Sequence, residues 1–525
     1  MNLLTDRWLP IVRKSGKQEK IRISEIVDNY EKDPVIDIEA PRPDFRNSIY
    51  QLIIGIIQVT VTPKDDNWMK YWENPYSESE LMNAFLNYEN CFIIDNPEGP
   101  AFMQDYDYAA FKDAKVENVS SLLIEAPGTN TIKENKDHFI KRGVVENMSP
   151  YWAAIALYTL QTFAPSGGSG HRVGLRGGGP LTTIVLLDES EKKSTFWQKI
   201  WLNILTESKV ESLSGDREKN QISDIFPWMA PTKTSSNGEL TIPNNCNPLQ
   251  MYFGMPRRIR LEFFDGKKNC DIDGEDSLIS VNKYKTIPRG INYGGMWMHP
   301  LNAYSIDPKK PEEEPLSIKA QPGGVCYRHW LGFNIKTDKN IPSCVVSDLE
   351  DNEDKNEIIN EFGSLIWVAG FDMDNMKARC WYESTMPVFP LKSIEYREQL
   401  SVLSESMILG AVDCLKSLKS CIKQAWFDRP KDAKGDFSFL DSEFWNNTEK
   451  LFYKYLKELL EDPFDEDNIS KIFSHWSICL KKESNILFEK WCLSSSPEGI
   501  DYKRVISAKN ELGKYLNRSC KVLKK

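Results

Sequence analysis

Nucleophilic and metal-binding chemistry needs cysteine, histidine and carboxylate side chains at close spacing, and this chain offers few such sets. It has five histidines, His138, His171, His299, His329 and His475. One of them has a cysteine at a ligating interval, because Cys326 and His329 form Cys-x-x-His. That spacing is half of a zinc site; no second pair accompanies it, so no metal is expected. In a hydrolase the same two residues would be a thiolate and its base, with the orienting group brought from elsewhere in the fold. A cysteine close to a tryptophan is more often core. The carboxylate pairs Asp65–Asp66 and Asp372/Asp374 read first as helix-start and turn residues.

The stretch with the strongest local bias is SGGSGHRVGLRGGG, Ser166–Gly179, in which seven of fourteen residues are glycine. Glycine has the most backbone entropy to lose on folding, so such a cluster implies either left-handed φ angles or a surface that another backbone must approach closely. A nucleotide phosphate is excluded. The dinucleotide turn follows a strand and opens a helix, whereas here Tyr151–Phe163 has helical spacing and comes first. Pro180–Leu187, which follows, is a β-branched run of strand type. There is no Gly-Lys-Ser/Thr phosphate loop, and no cofactor is expected. Two readings remain: a long connection, or close contact with a large polyanion, given Arg172 and Arg176 among the bare amides.

These residues must be carried by a chain of 525 residues, 41% hydrophobic and 27% charged, enough for roughly two to four domains. No apolar run reaches the length of a membrane span and the N-terminal residues lack a signal-peptide core, so a soluble cytoplasmic protein is expected. The eleven cysteines show no framework and no Cys-x-x-Cys, which predicts reduced thiols. The net charge of −10 disfavours a free-standing nucleic-acid binder. From Leu391 onward, however, 23 Lys/Arg face 21 Asp/Glu, a net of +2, and Met255–Lys268 forms a basic knot within the acidic remainder. That balance suits a subunit touching nucleic acid inside a larger assembly, or an ordinary acidic protein.

The fold class expected is α+β. Residues 1–390 mix short β-type runs, helices such as SIYQLIIGIIQVTV and many Pro/Gly turns. Residues 391–525 change texture. Leu400, Leu403, Met407, Leu415, Leu418 and Ile422 keep a helical period, as do Phe444, Leu451, Tyr455 and Leu459. Ile469, Phe473, Trp476 and Leu480 continue it, then Val505, Leu512 and Leu516, which predicts a C-terminal four-helix bundle.

Several segments in order resemble the CasA family, the large subunit of the type I-E Cascade complex of CRISPR immunity. They are NLLTDRWLPI (Asn2–Ile11), LIIGIIQVTVTPKDD (Leu52–Asp66), GPAFMQ (Gly99–Gln104), PGTNT (Pro127–Thr131), GLRGGGPLTT (Gly174–Thr183) and GMWMHP (Gly295–Pro300). The resemblance implies a non-catalytic subunit that recognises the protospacer-adjacent motif (PAM) in duplex DNA. It further implies that the subunit starts strand separation, stabilises the R-loop and recruits the helicase-nuclease. Its partners would be other Cascade subunits, the guide RNA, the double-stranded target and the displaced strand. By position the resemblance assigns the motif-reading loop to Gly167, Gly168, Ser169 and Gly170, with Lys285, or alternatively Lys283, as the accompanying lysine. It assigns a strand-separating wedge to Cys326, Tyr327 and Arg328 at a hairpin tip that would present Val325 to Arg328 outward. The family's glutamine is absent from those positions, and the nearest, Gln321, precedes the turn. A guide-proximal loop would include Asn130, Lys133, Asn135 and Lys136. The paired cysteines by which some relatives hold a metal are missing, since Cys270 stands alone. Two rivals stay open at this point, a Cys–His hydrolase at Cys326/His329 and a scaffold without nucleic-acid contact.

Overall fold

The computed structural model describes residues 1–127, 133, 143–168, 170–189, 193–374, 376–389, 393–493 and 501–524. The chain divides into two compact units: Met1–Ala320 with Ser343–Glu383, and Gln321–Pro342 with Ser384–Lys525. A single boundary near residue 390 is therefore replaced by a chain that leaves the first unit, contributes residues 321–342 to the helical unit, and returns. The reason is apolar burial within that segment: Tyr327, Trp330 and Phe333 are each at most 1% exposed.

The first unit is built around two buried helices. Pro43–Thr60 starts with proline at its first position, where the missing N–H has no partner to lose. From Phe45 to Gln58 it buries every residue except Arg46, the pattern of a helix enclosed on all sides. Pro150–Phe163 is capped by Ser149, whose hydroxyl accepts the Trp152 N–H, and it too starts on proline. The two helices meet where Phe45 stacks on Trp152 at 5.9 Å and the Thr159 hydroxyl donates to Ser48 Oγ at 2.9 Å.

Small antiparallel sheets flank these helices. Leu9–Arg13 lies between Gln18–Ile21 and Val35–Ile38, burying Leu9 and Ile11 by simple alternation. Ser364–Asp374 is the middle strand between Thr182–Leu187 and Lys377–Val388, and its residues Ile366 to Asp372 are all buried. Asp372 is thus a strand residue, clamped by Arg379 through two hydrogen bonds of 2.9 and 2.7 Å, and not a turn residue. A long hairpin of Arg258–Asn269 and Asp276–Ile287 carries Lys115–Asn118 on the outer edge of its second strand. Along that second strand Lys283 is exposed, Tyr284 buried and Lys285 half-buried, so both lysines share the outer face.

The second unit contains the expected four helices, Ile394–Trp426, Ser438–Glu461, Glu466–Leu493 and Tyr502–Ser519. Leu400, Met407, Leu418, Phe444, Leu456, Trp476, Leu480 and Leu512 are wholly buried. The polar break at residues 428–436 falls between the first two helices and Asp462–Asp465 between the next two, as their composition predicts.

Candidate nucleic-acid interface

The glycine-rich stretch leaves the C-terminus of the Pro150–Phe163 helix and runs to the Thr182–Leu187 strand, the order read from the sequence. Its glycines serve two different purposes. Gly174, Gly178 and Gly179 pack against the protein's own backbone. A Cβ on Gly174 would lie 3.0 Å from the Thr162 carbonyl oxygen, on Gly178 2.8 Å from Pro165 Cα, and on Gly179 2.7 Å from the Phe371 carbonyl oxygen. Gly174 and Gly179 also donate their N–H groups to Ala164 O and Phe163 O, at 3.0 and 3.1 Å. That half of the stretch is structural.

The other half faces outward. Gly167, Gly168 and Gly170 are exposed, and Ser169 lies outside the described residues. Gly168 and Gly170 take φ of 65° and 83°, the left-handed region. A Cβ on Gly168 would meet nothing within 4 Å. The turn is closed by the His171 N–H donating to Gly168 O at 2.8 Å and the Gly167 N–H to His171 O at 3.1 Å. It is also stapled to the long hairpin, because Arg289 donates its backbone N–H to Gly170 O at 2.9 Å.

Two cations that the sequence did not single out, Arg289 and Arg257, lie against it. Lys285 lies 3.5 Å from Glu262 Oε1, on the strand that ends at Ile287, two residues before Arg289. Lys283 is exposed on the same face. Arg289 is the exposed cation whose backbone touches the turn, held at the unusual φ of 67°. Beneath the turn, Arg257 donates to Pro165 O, and its Nη1 would sit 2.4 Å from a Cβ on Gly167. A Cβ on Gly167 would also lie 2.8 Å from His171 Cβ, so both neighbours crowd this position. Burial pulls the Arg257 pKa down to about 10, and its Nε has no hydrogen-bond partner. Burial first, then Arg257 and Lys115, lower the pKa of His171, so its ring is neutral at pH 7. Neither arginine was chosen from the sequence. The signal was a Pro-Arg-Gly ending a strand and a second arginine in the basic knot, and neither says which one faces the turn.

The proposed wedge is corrected by its burial. Tyr327 is 0% exposed. Its ring stacks on Phe452 at 4.3 Å and meets the edge of Trp445 at 5.0 Å, while its hydroxyl lies 2.9 Å from Thr448 Oγ1. Val325 and Cys326 are also buried, so residues 325–327 are not presented outward. An aromatic ring and a valine gain more from the helical core than a hairpin tip can offer. Arg328 lies over the Trp445 ring at 5.7 Å, its Nη2 donating to Gly324 O at 3.2 Å. What the turn exposes is Gln321 and Pro322, with Gln321 O accepting the Gly324 N–H at 3.1 Å.

Cys326 and His329 do not form a nucleophile and base. The Arg328 Nε donates to His329 Nε2 at 3.0 Å, while Nδ1 lies 3.2 Å from both the backbone N–H and the carbonyl oxygen of Cys326. Burial pushes the Cys326 thiol up to about 12 and pulls His329 down to about 3. Both ring nitrogens are engaged and the thiol stays protonated. Among the described residues, no three His, Cys, Asp or Glu side chains are grouped so as to hold a metal. No helix among them is long and apolar enough to cross a membrane. Of the guide-proximal loop, Lys133 is exposed; Asn130, Asn135 and Lys136 lie outside the described residues.

The fold has known counterparts. Thermus thermophilus CasA (Cse1) superposes with a TM-score of 0.67 at 15% identity over 99% of both chains. Cse1 from Acidimicrobium ferrooxidans gives 0.67 at 14% identity, over 100% of this chain and 99% of that one. A chain of a CRISPR RNA-guided surveillance complex gives 0.65 at 14% identity, with 100% and 99% covered. At such identities the likeness is one of fold. The family model for CRISPR-associated protein Cse1 matches residues 2–483, and with that match the chain belongs to the Cse1 (CasA) family of type I-E Cascade large subunits.

Proposed function

We propose that this protein is a non-catalytic subunit that reads the protospacer-adjacent motif in duplex DNA for an RNA-guided surveillance complex. It then starts strand separation, steadies the R-loop and recruits the helicase-nuclease. The observation that carries the reading is the exposed glycine turn stapled to Arg289, with Arg257 beneath it and no carboxylate paired to that guanidinium among the described residues. Glycines, which carry no side chain, can lie against the floor of the minor groove, which is only about 6 Å wide. The groove's code is degenerate, so such a turn reads A·T against G·C tolerantly. An arginine beside it matches the negative potential of a narrow groove. Guide pairing supplies the rest of the specificity. Other Cascade subunits and the guide RNA are the partners this reading requires, with Lys133 in the segment nearest the guide.

Gln321, exposed at the start of its glycine turn, takes the wedge role in place of Tyr327. The buried thiol and engaged histidine leave no support for a hydrolase. The test uses the assembled complex. Arg289→Ala should weaken motif-bearing duplex more than motif-free duplex and reduce the slope of log K against log salt by about 1. Gln321→Ala should slow opening of an intact duplex and leave a target mismatched beside the motif almost unaffected. Binding without any salt dependence would favour a scaffold that does not touch DNA.

A further inference from the structure

The Ile394–Trp426 helix presents small residues where the Tyr502–Ser519 helix and the Cys520–Lys524 turn cross it. Gly410, Cys414 and Ser417 recur at intervals of four and three, so they share one helix face. A Cβ on Gly410 would lie 3.1 Å from Leu523 Cδ1. Further along, Ser417 Oγ is 3.1 Å from Ser519 Oγ, and Ser519 Oγ donates to the Asp413 carbonyl oxygen at 3.2 Å. A serine side chain that reaches the facing backbone means that the two main chains run close together here.

Between those two contacts the sulfurs of Cys414 and Cys520 lie 3.6 Å apart, although the residues are 106 positions apart in sequence. Both are free thiols, and both are 0% exposed. The sulfurs touch, and the close main chains suit a disulfide, which needs Cα atoms roughly 4.4–6.8 Å apart. Among the described residues, no third ligand is grouped with the pair to hold a metal. Their contact first, then burial, raises the Cys414 pKa, so the thiol stays protonated while the fold is closed. Cys520 opens a single 3-10 turn, a structure with poorer hydrogen-bond geometry than a helix and a ready place for local opening.

We propose that Cys414 and Cys520 are an oxidisable dithiol, closed to a disulfide by a hydroperoxide, which staples the Cys520–Lys524 turn to the first helix of the bundle. The proposal is independent of any role in DNA recognition. When the turn opens, one sulfur loses its proton and attacks a peroxide oxygen. The O–O bond breaks, the released hydroxide takes up that proton as water, and a sulfenic acid remains. The second sulfur then attacks the first, the S–O bond breaks, and its own proton leaves with the hydroxyl as a second water. Two thiols have given up two electrons, and the peroxide has taken both. The bond closes a long loop, so it restricts the unfolded chain.

The experiment treats the reduced full chain with hydrogen peroxide well below its melting temperature, alkylates it and maps it by non-reducing peptide mass spectrometry. A Cys414–Cys520 peptide pair lighter by two hydrogens should appear. The helical unit should then melt roughly 5–15 °C higher, and dithiothreitol should reverse both changes. Cys414→Ala and Cys520→Ala, tested separately, should each lose the peroxide-induced rise. The peptide map uses the unsubstituted chain, so it decides independently of how either variant folds. Cys414 and Cys520 remaining free once the half-buried Cys344, Cys380 and Cys479 are oxidised overturns the proposal. A disulfide from either residue to another cysteine overturns it, as does a Cys414–Cys520 bond that lowers the melting temperature. A rise that survives in either variant overturns it as well.

Discussion

Gly168→Asn separates the reading function of the glycine turn from its contribution to folding. The residue is exposed, a Cβ there meets nothing within 4 Å, and its φ of 65° is one that asparagine tolerates better than other side chains. The folded state should therefore lose no more than about 1 kcal/mol, near 2 °C in melting temperature for a unit of this size. The added amide nevertheless stands out from the surface that would lie on the base edges. Displacing the turn from a groove about 6 Å wide should lower affinity for motif-bearing duplex by roughly 10- to 100-fold, equivalent to about 1.4–2.8 kcal/mol. Gly178→Ala is the opposite case, because its Cβ lies 2.8 Å from backbone Pro165 Cα. It should cost about 1–3 kcal/mol of stability through overpacking. Calorimetric melting of the isolated chain, with binding of the assembled complex at one fixed salt concentration, reads both quantities. If Gly168→Asn binds motif-bearing DNA normally, or loses melting temperature in step with binding, the turn is not a reading surface.

Removing the Tyr327 side chain by Tyr327→Ala should destabilise the helical unit by about 3–5 kcal/mol, the usual cost of truncating a buried aromatic. Tyr327→Phe should cost only about 1 kcal/mol, for the lost Thr448 hydrogen bond; denaturant titration of the two variants distinguishes them. His329 gives a pH prediction. Burial, then Arg328, holds its folded pKa at about 3, against about 6.5 when unfolded. The unfolded chain binds that proton first as the pH falls. Stability should be complete above pH ~6.5 and decline toward pH 3, by at most about 1.4 kcal/mol per pH unit. Unfolding curves of His329→Gln should show a shallower decline over the same range.

Amphipathic periodicity carried the four C-terminal helices, because burial on one face at a 3.6-residue period is a local pattern that requires no knowledge of neighbours. The helix before the glycine stretch and the strand after it were legible from apolar content and β-branching instead, because both are buried on nearly every side. Composition also located the stretch itself, since glycine enrichment records a backbone requirement residue by residue. Which glycine answers which requirement was not legible. Gly167 packs close to Arg257 and His171, and Gly178 to Pro165, while Gly168 faces open space. Nor does a one-dimensional pattern separate an aromatic that stacks in a core from one held out for a ligand. Tyr327 follows two glycines like a hairpin tip, but Phe452, Trp445 and Trp476 arrive from helices more than 100 residues later to enclose it. Residue types and local periods fixed the elements and the bare turn. The approach of Arg289 and Arg257 to the glycine turn, and the burial of Val325, Cys326 and Tyr327, came from long-range packing, which depends on which surfaces the folded chain brings together.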